Sequence, residues 1–79
     1  MPHRLSLTLA ANLVAAREEI QMSKRALAAK SGVARAYLVQ IEHGMANIGL
    51  GVLMNLADAV GKEAYELIMP RHKTAPRKK

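Results

Sequence analysis

The 79-residue chain has room for one small domain, and without cysteine it holds neither a disulfide staple nor a thiolate metal site. Its two tyrosines are the only aromatic residues, too few for the stacking platforms of single-stranded nucleic-acid binders. The net charge of +6 is uneven: Arg71, Lys73, Arg77, Lys78 and Lys79 crowd the C-terminal end without an acid, whereas residues 1–70 carry seven Lys/Arg against six Asp/Glu.

Residues 1–5 read as a frayed start. His3-Arg4 and the apolar run after it superficially resemble a signal peptide, but Ser6, Thr8 and Asn12 interrupt the run, and a helix is expected instead. That first helix is predicted from residue 8 to residue 19 or 20. Leu9, Leu13, Ala16 and Ile20 share one face, with Asn12, Glu18 and Glu19 away from it. Gln21-Met22 makes the connection, Met22 turning inward. Ser23 then suits the N-cap of a second helix, and Gly32 ends it where a positive φ is wanted. A third helix spans residues 34–43, with Leu38 and Ile41 on its inner face and Arg35, Ala36, Val39 and Gln40 directed elsewhere.

Gly44 closes the third helix, and residues 45–49 form a loop. Leu50, Leu53, Leu56, Ala57 and Val60 give a fourth helix stopped by Gly61, although Gly49 and Gly51 predict a late or frayed beginning. A last short helix covers residues 63–69 and stops at Pro70. Residues 71–79 read as a disordered basic tail, since nothing there can be buried. The expectation is an all-α, five-helix domain over residues 1–70, without strands, repeats or a membrane span. Met54 and Met69 are expected to fill packing gaps.

Lys24 to Gly44 is the most informative stretch. Two short helices across a glycine turn, with a polar outer face, are how a helix-turn-helix presents a recognition helix to a DNA major groove. Lys24, Arg25, Lys30 and Arg35 make this stretch basic with no acid before Glu42, the electrostatic footprint of a duplex-DNA binder, which on charge alone is equally that of an ordinary solvated face. His3, His43 and His72 are scattered, no serine has a partnered base, and no glycine loop cradles phosphate. No catalytic residue, metal or cofactor is assigned.

AREE in helix 1, SKRALA at the second helix, SGVARAYLVQIEHG through the third and NLADAVG in the fourth occur in the order of a known family. The chain resembles the Cro/C1-type helix-turn-helix family (XRE family), the lambda repressor-like proteins, over about residues 9–67. The resemblance implies an ion pair between Arg17 and Glu42 that ties helix 1 to the recognition helix. It places base readout on Arg35, Ala36 and Gln40, with Ala34, Tyr37 and Val39 at the margins. Arg35 fits guanine O6/N7, Gln40 fits adenine N6/N7, and Ala36 or Val39 fits a thymine methyl. Lys24 stands where relatives often place a phosphate-gripping glutamine, at a helix N-terminus that itself favours anions. Ser23, Arg25 and Asn47 are further phosphate candidates, each also open to a capping or solvated role. Tyr37 fits either the sugar-phosphate backbone or the edge of the core.

Three departures from the family pattern stand out. Gln21 replaces a usual glycine, so the first turn is expected to be strained or reshaped. Met45 and Ala46 replace commonly basic or polar residues in the loop after the recognition helix, and the basic tail is a candidate substitute for that charge. The resemblance implies a cytoplasmic transcriptional regulator that binds double-stranded DNA as a homodimer on a palindromic operator of a phage, plasmid or integrated element. Leu50, Val52, Tyr65, Ile68 and Met69 are the candidate dimer interface, and control falls to protein concentration or a regulatory partner protein. The rival reading is a protein-interaction module of the same fold, an antitoxin or adaptor, which the small Ala34 and Ala36 favour.

Overall fold

The computed structural model describes residues 4–70 as five helices. In chain order these are α1 (Arg4–Glu19), α2 (Lys24–Ser31), α3 (Arg35–Glu42), α4 (Leu50–Val60) and α5 (Ala64–Ile68). The expected tail, residues 71–79, lies outside the described residues. Helix α1 packs on α3 and α5, α2 on α3 and α4, and α4 on α5. Leu13, Leu27, Leu38, Ile41, Leu56 and Leu67 are fully buried where these helices meet. Full burial of one such side chain stabilises by about 1.5–3 kcal/mol, so aliphatic packing without large rings is enough to close the core. Among the described residues no helix is long and apolar enough to cross a membrane.

Helix α1 begins at Arg4, four residues before its expected start. Its buried residues include Ser6, Leu9, Ala10, Leu13 and Ala16, a helical stripe that extends a full turn upstream because a small serine can be covered as easily as an alanine. Two further expectations on α1 fail. Asn12 is buried rather than turned away. Its Nδ2 donates to the carbonyls of Leu67 at 2.9 Å, Met69 at 2.7 Å and Glu66 at 3.2 Å, serving the orphaned end of the short α5. Ile20 is half exposed, because α1 has already ended at Glu19 and the helical period no longer applies.

The turn after α1 explains why glycine is usual there. Gln21 has φ +55°, the left-handed region, and is the one non-glycine described residue with positive φ. The Met22 amide donates to the Arg17 carbonyl at 2.9 Å and the Gln21 amide to the Glu18 carbonyl at 3.0 Å, the paired bonds of a Schellman ending. The turn keeps its shape and carries the strain of a side chain in the left-handed well, about 1–2 kcal/mol. Gln21→Gly is expected to relieve that strain and raise Tm by a few degrees despite glycine's greater unfolded entropy, measured by thermal unfolding followed by circular dichroism.

Helix α4 starts at Leu50, so the two glycines do not delay it, although Gly49 caps it without a side-chain bond. Met54 and Met69 do not fill gaps as expected. They are 56% and 49% exposed, on the outer sides of α4 and α5.

Candidate nucleic-acid interface

Ser23 Oγ accepts the Ala26 amide at 3.0 Å and starts α2, which ends at Gly32 in the left-handed conformation. The Val33 amide donates to Ser31 Oγ at 3.2 Å inside the turn, and α3 then starts from Ala34 without a side-chain cap. Leu27 and Val33 pack beneath the turn, and Leu38 and Ile41 seat α3 on the core. The inner face of α3 is thus fixed by burial, and its outer face is left to solvent.

That outer face carries Arg35, Ala36, Tyr37 and Gln40, all exposed, with Val39 half buried at its edge. Arg25 and Lys30 are exposed on α2, and Lys24 is half buried at its first position. Lys24, Arg25, Lys30 and Arg35 enter no ion pair among the described residues. The structure therefore brings four free cations and one amide side chain to two consecutive helices. Ser23 accepts the cap bond from the Ala26 amide and keeps its hydroxyl proton to donate to another group. Asn47 is exposed in the loop after α3, beside Met45, which is 63% exposed, whereas Ala46 is buried.

Behind this face, Arg17 and Glu42 form a bidentate pair. Arg17 Nε donates to Glu42 Oε2 at 2.8 Å and Nη2 to Oε1 at 3.0 Å, while Nη1 donates to the Met22 carbonyl at 3.0 Å. The side chains are only 11% and 2% exposed. The hydrogen bond to Glu42 holds the Arg17 guanidinium above its ordinary pKa, outweighing the opposite pull of burial. A guanidinium fork fixes direction as well as distance, so it locks the end of α3 to α1 and to the turn before α2. The one acid of α3 is thereby paired and buried, and the outer face of the helix presents no carboxylate.

Of the candidate dimer residues, Leu50, Tyr65 and Met69 are 77%, 61% and 49% exposed. Val52 and Ile68 are half buried and pack partly against the core. Leu5, at 57% exposure near the start of α1, adds an apolar side chain that the sequence reading left in a frayed segment. No group of His, Asp and Glu able to hold a metal occurs among the described residues.

The helix-turn-helix family model matches residues 13–67. The chain is 43% identical over 61 residues to the uncharacterized HTH-type transcriptional regulator y4dL of Sinorhizobium fredii, a match covering 73% of this chain and 31% of that longer protein. The crystal structure of the hypothetical transcription factor NHTF from Neisseria is similar with a TM-score of 0.80 and 33% identity, over 84% of this chain and 76% of that one. The restriction-modification controller protein C.AhdI from Aeromonas hydrophila is similar with a TM-score of 0.75 and 31% identity, over 78% and 94%. Five helices in this order, a capped α2–turn–α3 unit and these matches agree: the chain belongs to the helix-turn-helix family of Cro/C1 type, a family of DNA-binding transcriptional regulators.

Proposed function

We propose that the protein is a sequence-specific regulator that binds double-stranded DNA as a homodimer on a palindromic operator. The observation that carries this reading is the set of Lys24, Arg25, Lys30 and Arg35 on α2 and α3, none in an ion pair among the described residues, with Arg35 and Gln40 exposed on a helix anchored from behind. Arg35 would read guanine and Gln40 adenine, with Ala36 and Val39 against thymine methyls. Lys24, Arg25 and the Ser23 hydroxyl would hold phosphates on one side, and Asn47 on the other. Tyr37, exposed on the same helix, would lay its hydroxyl on the backbone.

So few base-reading side chains per module give little selectivity, and a second copy doubles them. Leu50, Tyr65 and Met69 are exposed enough to form the contact, with Val52 and Ile68 completing it from below. A two-fold dimer reads half-sites about 10–10.5 bp apart or a multiple of that. The similarity to a restriction-modification controller protein supports a setting on a phage, plasmid or integrated element, and a cytoplasmic location belongs to the same reading. Control by concentration or by a partner protein fits the same setting.

Selection from a pool of random duplexes tests the proposal and is expected to enrich a two-fold symmetric sequence bound by two chains. Leu50→Glu with Tyr65→Glu is expected to keep the thermal transition but to yield single-chain complexes weakened at least tenfold, seen by sedimentation and fluorescence anisotropy. An unenriched pool would favour the interaction-module reading, for which the bare Ala34 and Ala36 speak.

A further inference from the structure

The loop after α3 lacks the charge expected at a second phosphate contact: Met45 is exposed and apolar, and Ala46 is buried. Helix α1 reaches this loop because it starts early. Leu7 lies so close to Gly44 that a Cβ on the glycine would sit 2.6 Å from Leu7 Cδ2. Arg4, one turn before Leu7, is exposed, and with Leu5, Ser6 and Asn47 it walls a shallow cleft of about 480 Å³. No acid lines that cleft, and Arg4 enters no ion pair among the described residues.

From this juxtaposition we infer that Arg4 and Asn47 form a DNA-phosphate contact at the mouth of that cleft, Arg4 supplying the charge the loop has lost. The inference rests on the duplex-binding reading above. The guanidinium takes a phosphodiester oxygen, the Asn47 amide donates a second hydrogen bond, and α1 becomes part of the DNA-facing surface. The contact is blind to sequence: it fixes register and adds affinity without choosing bases. It also locates the replacement charge on a helix within the described fold.

Salt dependence tests the contact on the full chain with a mixed-sequence duplex of two helical turns. Each phosphate neutralised contributes about 0.9 to the slope of log K against log [salt]. Arg4→Ala is expected to make the slope shallower by about 0.9 per bound protomer, with the thermal transition unchanged or slightly higher. Arg4→Lys should keep the wild-type slope, and Arg4→Ala with Asn47→Arg should restore it. The ratio of affinities for the selected and scrambled duplexes should not move in Arg4→Ala, whereas Arg35→Ala should lower it. A wild-type slope in Arg4→Ala overturns the contact while leaving the duplex-binding reading intact. Absence of duplex binding by the wild-type protein overturns both.

Discussion

Glu42→Ala is expected to lower Tm by about 12–24 °C. The substitution leaves the Arg17 guanidinium nearly buried and without its carboxylate, and removing one partner of such a pair costs about 3–5 kcal/mol. The lower figure applies because Arg17 keeps its bond to the Met22 carbonyl and some contact with water. In a domain of this size about 1 kcal/mol moves Tm by 4–8 °C. Arg17→Met with Glu42→Leu removes both charges and replaces them with apolar volume, and should recover much of the loss. Recovery in the double variant, read by calorimetry, separates the cost of an orphaned charge from the worth of the pair. On the arginine side the sign is simple. A guanidinium whose pKa is raised contributes stability that is complete below the ordinary arginine range and disappears only at still higher pH. Arg17 therefore adds no pH dependence between neutrality and moderate alkalinity.

Arg35→Ala is expected to leave folding intact and to lower discrimination between operator and scrambled duplex. Arg35 is exposed at the first position of α3, so truncation costs no packing. A bidentate arginine–guanine contact contributes about 1–3 kcal/mol of discrimination, or about 5- to 150-fold at each half-site. Two half-sites multiply that effect, while affinity for scrambled duplex falls only modestly through the lost charge. Competition binding at fixed salt checks this. An equal loss on both duplexes would make Arg35 a phosphate contact instead.

Most of the helix order was legible because its determinants are local. Ser23 as a cap, Gly32 as a left-handed ending and the spacing of Leu38 and Ile41 each act within one or two turns. The burial of Asn12 was not legible for a different reason, since its partners come from a distant part of the chain. Asn12 stands three residues from Leu9 and four from Ala16, so helical spacing is compatible with the inner stripe, but the sequence places it off that face because the α5 carbonyls that accept its amide are more than fifty residues away. Arg4 and Leu5, expected in a frayed start, lie in α1, whose Leu7 packs against Gly44 in a contact between residues far apart in sequence. The exposure of Met54 and Met69 was illegible for a third reason: a flexible apolar side chain suits a core gap and an interface equally, and only three-dimensional position separates them.

The reading face of α3 is the centre of the account, and a footprint on the DNA flanking the protein's own gene tests it most directly. The account predicts a discrete protected segment with two-fold symmetry, its half-sites about one helical turn or a multiple apart, and loss of that protection in Arg35→Ala. Weak, uniform protection of every duplex, unchanged by Arg35→Ala, would contradict it.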